Sequence, residues 1–298
     1  MLTTLLLGIT LALPPTGDTT ELLLDVNTGF NYRPTWIDGV SGGGRELGGF
    51  GSAGFTLFDR GIHDDDSPPS LQPYLQYATR LHVGGGGGYT DLQFPDYGGS
   101  SPLAQGWIDA DAEGYLLRRF YIAASFEWDY DTWRFEDSQL SEQLEHFSGA
   151  VGLRFGDLRV SAGWGGTSFA IGRRRSQVRY YGGAFAEVYA VVHRHLELDA
   201  FAQLAEAGAE GHLGATWWLG RRLGLGIGVS GGAHAYVDSP DRYAFAGGSV
   251  GATWWFTPRL AGQISLAVTW QEPLGTPDDD GVAIRGVRNA LVLTLLVR

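Results

Sequence analysis

Apolar residues alternate with small or polar ones along nearly the whole chain. In Leu223–Val237 every second position is Leu223, Leu225, Ile227, Val229, Gly231, Ala233, Ala235 and Val237. The intervening set is Gly224, Gly226, Gly228, Ser230, Gly232, His234 and Tyr236. A period of two is the repeat of a β-strand, whose successive side chains point to opposite faces, so this stretch predicts a strand with one greasy and one nearly bare face. The same rhythm separates Phe120, Ile122, Ala124, Phe126, Trp128 and Tyr130 from Tyr121, Ala123, Ser125, Glu127, Asp129 and Asp131. It also sets Leu260, Ile264, Leu266, Val268 and Trp270 against Gln263, Ser265 and Thr269, and Leu196, Leu198 and Leu204 against Glu197, Asp199 and Gln203.

About fourteen such stretches follow, near 21–37, 45–59, 71–91, 107–118, 120–135, 146–155, 158–170, 178–192, 196–205, 211–219, 223–237, 243–256, 260–270 and 287–297. Their connections come in two kinds that take turns. Arg118–Arg119, Gly156–Asp157, His193–His195, Gly220–Arg222 and Thr257–Arg259 are tight; Asp38–Gly44, Pro95–Gly106, Glu136–Glu145, Ile171–Gln177, Asp238–Arg242 and Gln271–Gly286 are mostly longer and rich in Gly, Pro and Asp. A weak repeat of GHLGATWWLGRRLGLGI at Gly211 in GSVGATWWFTPRLAGQI at Gly248 has the spacing of one hairpin. Strands of 10–16 residues exceed the usual five or six of a soluble sandwich and match a tilted path through hydrocarbon. In lipid every backbone group must be satisfied by the protein itself, and a sheet achieves this only by closing. The expected fold is therefore all-β: a closed antiparallel transmembrane β-barrel of about fourteen strands, within a range of 12–16.

Composition agrees and narrows the chemistry. The 298 residues include 46 Gly, 10 Trp, 13 Tyr and 15 Phe with 18% charged residues, unlike a helical soluble protein, in which interior Gly is costly. Cysteine is absent, so no disulfide, thiolate site or cysteine nucleophile is available. All 21 basic residues are Arg, which suggests a GC-rich genome, and the net charge of -12 argues against a nucleic-acid surface. Leu2–Leu13 is an apolar run of signal-peptide length, although no basic residue precedes it and no A-x-A site follows. The domain reading is a signal peptide or N-terminal segment over 1–20 and a single barrel over 21–298. No run of about 18 apolar residues occurs, which excludes a helical inner-membrane protein.

The hairpin rhythm, LGLGIGVSGGAHAY with its sister strands, and the C-terminal NALVLTLLVR resemble the bacterial outer-membrane β-barrel (porin-like) class across 21–298. The resemblance implies a Gram-negative outer-membrane location, both termini on the periplasmic side, and passage of small solutes through a passive pore or uptake channel. The alternative is a structural or anchoring barrel in an envelope-spanning complex for secretion, adhesion or gliding motility. Lipid and lipopolysaccharide are the expected partners, with envelope proteins added in the alternative.

If the apolar face meets lipid, the other face lines a lumen. Asp109, Asp111 and Glu113 then share one inward face and Glu127, Asp129 and Asp131 the next, forming an acidic patch, with Asp25, Glu187, Glu197 and Asp199 as further inward acids. Arg33, Arg80, Arg154, Arg159 and Arg179 are the expected lumen cations; opposed charge stripes would give a mild cation preference. Trp217, Trp254 and Phe256 beside the tight turns, and Trp128, Tyr130 and Trp270 toward the other end, fit two interfacial aromatic girdles. Catalysis is not expected: His146 and Ser148 share a face, superficially like outer-membrane phospholipases, but no third residue that would orient the imidazole is evident. Neither a cofactor nor a metal is assigned. His63–Asp66 and Pro277–Gly281 are acidic but lack calcium-loop spacing, and Arg173–Ser176 is a cationic loop suited to lipopolysaccharide phosphates.

Overall fold

The computed structural model describes residues 20–37, 44–59, 79–94, 99–116, 119–135, 138–171, 179–193, 195–206, 208–220, 222–235, 242–257, 260–274 and 286–297. The expected leader and the loop motifs at His63–Asp66, Arg173–Ser176 and Pro277–Gly281 lie outside these residues. The strands are β1 (Thr20–Ile37), β2 (Gly44–Asp59), β3 (Thr79–Phe94), β4 (Gly99–Leu116), β5 (Phe120–Phe135), β6 (Ser138–Phe155) and β7 (Leu158–Ile171). They continue as β8 (Arg179–Val192), β9 (Leu196–Ala205), β10 (Gly208–Leu219), β11 (Leu223–Ala235), β12 (Arg242–Thr257), β13 (Leu260–Leu274) and β14 (Gly286–Val297). Each pairs antiparallel with its sequence neighbours, and β1 pairs with β14, closing a fourteen-strand barrel without a free edge.

Alternation assigns the two faces. Leu225, Ile227 and Val229 on β11, Val250 and Trp254 on β12, and Ile264, Leu266 and Val268 on β13 are all exposed on the outside. An outer surface made of bare Leu, Ile, Val and Trp is a poor solution in water and the expected one in acyl chains. The two Trp pairs divide between the faces: Trp217 is 58% exposed and Trp254 52%, whereas Trp218 and Trp255 are each 2% exposed.

Glycine on the inner wall has a packing role. A Cβ on Gly224 would stand 2.9 Å from the Trp218 ring, and one on Gly86 would stand 2.5 Å from both Trp107 Cζ2 and the Gly51 carbonyl oxygen. A neighbour's indole therefore lies flat along the wall where the facing residue has no side chain. Gly226 differs, since its nearest neighbour would be Thr216 Oγ1 at 3.6 Å, an ordinary contact.

Two strand starts depart from the sequence reading. Strands β4 and β6 begin at Gly99 and Ser138, inside segments whose polarity suggested the long loops Pro95–Gly106 and Glu136–Glu145. There Leu103 faces Trp133 and Ser141 faces Thr132 in continuous ladders, so the sheet runs on past the apolar band, and both faces carry polar side chains. Strand β3 is described from Thr79 onward, and residues 71–78 of its expected span lie outside the described residues. On the side opposite the tight turns, β5 and β6 and likewise β9 and β10 are separated by only two residues, so short and long connections do not alternate strictly.

Candidate functional site

The inner faces of β3 to β8 carry the densest ionisable chemistry. Register sets Gly84, Asp109, Glu127 and His146 in one row across β3, β4, β5 and β6. The adjacent row is His82, Asp111, Ser125 and Ser148. All six residues of the acidic patch lie on this wall because residues two apart share a face and consecutive strands are neighbours.

Each carboxylate has its own surroundings. His82 Nε2 is 3.0 Å from Asp109 Oδ2, and His82, Asp109 and Asp111 bring one nitrogen and two oxygen donors within 4.8 Å of one another. His146 Nε2 is 3.5 Å from Asp129 Oδ2, and Gln105 Nε2 donates to Asp131 Oδ1 at 3.4 Å. Glu113 accepts from the Tyr121 hydroxyl at 2.8 Å and lies 3.8 Å from Arg159 Nη1.

Arg159, 8% exposed, organises the end of this wall near the tight turns. Its Nη2 donates to Glu187 at 3.3 Å, and Ser161 Oγ donates to the same Glu187 oxygen at 3.2 Å. The guanidinium carbon lies 4.4 Å from the Tyr121 ring centre and 5.8 Å from that of Tyr189, within cation–π range. This network joins β4, β5, β7 and β8 from inside the barrel. Arg154 stands opposite Arg159 in the register, and its Nε donates to the Gly156 carbonyl at 2.7 Å. Of the expected lumen cations, the two whose side chains are described, Arg154 on β6 and Arg159 on β7, sit beside the acidic strands β4 and β5 and not across from them. Arg33, Arg80 and Arg179 occupy β1, β3 and β8, with Arg80 opposite Glu113 in the register, and their side chains, like that of Asp25, lie outside the described residues.

A second wall, β8 to β12, carries features that sequence reasoning missed. His212 bonds Asp199, His234 Nε2 is 3.1 Å from Glu210 Oε2, and Trp218 Nε1 donates to Glu197 at 2.7 Å. The ring centres of Phe185 and Phe201, Phe201 and His212, and His234 and Phe245 are each 5.6–5.9 Å apart. Four inward histidines thus meet carboxylates. The signal was a histidine on the polar side of a strand, but its partner is set by inter-strand register, which no single strand contains.

The serine–histidine pair has an acidic neighbour that the sequence reading did not find. Asp129 does stand beside His146, but Ser148 Oγ is 2.7 Å from Ser125 Oγ, and both residues face inward. On the outer face Trp217, Trp254, Phe256 and Trp270 are exposed. Trp128 and Tyr130 share that face half-buried, stacked with centres 6.1 Å apart, and the Tyr130 hydroxyl donates to Ser141 at 3.2 Å.

A closed antiparallel barrel with an apolar exterior and a polar interior has the architecture of an outer-membrane β-barrel, and a lipid bilayer is where such a surface is stable. Among solved structures the fold is similar to CymD, a monoaromatic hydrocarbon channel, with a TM-score of 0.53, 11% identity, and coverage of 92% of this chain and 88% of that one. It is also similar to a Pseudomonas aeruginosa FadL homologue, with a TM-score of 0.52, 9% identity, and coverage of 93% and 90%. No family model matches the sequence, and no curated protein matches it. At these identities the similarity is one of fold.

Proposed function

We propose that the chain is a passive pore or uptake channel for small solutes in which the acidic wall of β4 and β5 favours cations. The observation that carries this reading is the inward group of Asp109, Asp111, Glu127 and Asp129, gathered by register on two adjacent strands. Carboxylates gathered on one wall of a water-filled passage raise the local concentration of cations. The fold similarity to CymD, itself a channel, is in keeping with it. Surrounding lipid and lipopolysaccharide are the partners this function implies.

The anchoring barrel keeps one specific support. The Tyr121–Arg159–Tyr189 stack with Glu113 and Glu187 draws bulky side chains together inside the barrel near the tight turns, as a closed lumen bound to envelope proteins would require.

Planar-bilayer recording of the purified protein separates the two. Stable ohmic steps are expected, with a reversal potential in a salt gradient that shows cation preference. In the combined D109N, D111N, E127Q and D129N variant that potential moves toward zero while the steps persist. Silence of the native protein contradicts the pore, and an unchanged reversal potential contradicts the role of the acidic wall.

A further inference from the structure

We infer that His82, Asp109 and Asp111 form a binding site for a first-row divalent transition metal ion on the inner wall of β3 and β4. One imidazole nitrogen and two carboxylate oxygens already lie within 4.8 Å of one another. Three ligands of this kind, half-buried and facing the lumen, leave the remaining coordination positions open to water.

The donor set determines the class of ion. Calcium takes six to eight oxygens and magnesium retains most of its waters, so neither gains much from a neutral imidazole. Mixed nitrogen and carboxylate donors suit zinc and its first-row neighbours. The surrounding charge points the same way. Asp109 and Asp111 are two residues apart on one face, with Glu127 directly opposite Asp109, and a divalent cation held there would offset the repulsion between like charges so close. The other nearby carboxylates are engaged elsewhere: Glu113 with Arg159 and Tyr121, Asp129 with His146, Asp131 with Gln105.

The wall around His82 is built to hold its ring. A Cβ on Gly54 would stand 2.5 Å from His82 Cε1, and one on Gly84 would stand 2.7 Å from Nε2 and 3.3 Å from Asp109 Oδ1. Both glycines make room for the imidazole to lie along the sheet with Nε2 directed at Asp109. Such support restrains a ligand before the metal arrives. It could not be read from HVGGGG alone, since Gly54 belongs to β2 and Asp109 to β4.

The site does not depend on conduction, so its test is separate from that of the pore. Zinc titration of the tag-free full chain in detergent, followed by calorimetry, is expected to show one site per chain that excess Mg2+ does not displace. His82→Ala and the D109N, D111N double variant should each weaken it by about 10-fold or more. Gly84→Ala, which removes no ligand, should weaken it as well. His234→Ala removes a histidine–carboxylate pair of the opposite wall and should leave the affinity unchanged. Barrel formation in every variant is checked by heat-modifiable gel migration. Zinc binding that survives loss of His82 in a folded barrel, that falls equally in His234→Ala, or that Mg2+ displaces at equal concentration would overturn the assignment.

Discussion

Glycine on the inner wall is a question of which neighbour lies over it. Gly86 and Gly226 occupy equivalent inward positions on β3 and β11, yet a methyl group on the first meets Trp107 and the Gly51 carbonyl at 2.5 Å, whereas on the second it finds nothing closer than 3.6 Å. Gly86→Ala should therefore cost about 1–3 kcal/mol through overpacking. Gly226→Ala should stay within about 0.5 kcal/mol of the parent. Urea unfolding of the two variants in lipid vesicles measures the difference, and equal stabilities would remove the packing explanation. The acidic residues of this wall were legible from the chain, because spacing by two and adjacency of consecutive strands are enough to gather Asp109 and Glu127. Their partners were not. Arg159 reaches Glu113 from three strands away, and His82 meets Asp111 only in one register, since a slip by a single residue would turn it to lipid.

At the scale of elements, period-two alternation located all fourteen strands because it reflects one face in lipid and one in water, wherever the strand sits in the barrel. It failed at the starts of β4 and β6, where both faces meet water and the pattern loses its contrast, although backbone pairing continues. The tight turns obey a different rule. Gly156 and Gly220 adopt φ of 61° and 67°, a left-handed conformation that side chains disfavour, and His193 holds φ of 58° without being glycine. The equivalent turn after β8 thus carries strain that glycine would relieve. His193→Gly should raise stability by about 1 kcal/mol and Gly220→Ala should lower it by about the same amount. Shifts of the urea midpoint with an unchanged slope would bear this out; a loss in His193→Gly would show that the imidazole itself contributes to the turn.

For the whole molecule, every functional statement rests on which side of the sheet is dry. Closure of β1 on β14 satisfies the backbone, the exposed Leu, Ile, Val and Trp side chains cover the outside, and carboxylates, histidines and glycines line the inside. The absence of cysteine makes a direct measurement possible, because single cysteines can be introduced along β11 without a background thiol. Spin labels at positions 225, 226, 227, 229 and 230 in vesicles report collision with oxygen, which concentrates in hydrocarbon, and with a nickel chelate, which stays in water. Oxygen should dominate at Leu225→Cys, Ile227→Cys and Val229→Cys and the chelate at Gly226→Cys and Ser230→Cys. An inverted phase, or no alternation at all, would contradict the assignment of the two faces and the acidic wall, pore and metal site built on it.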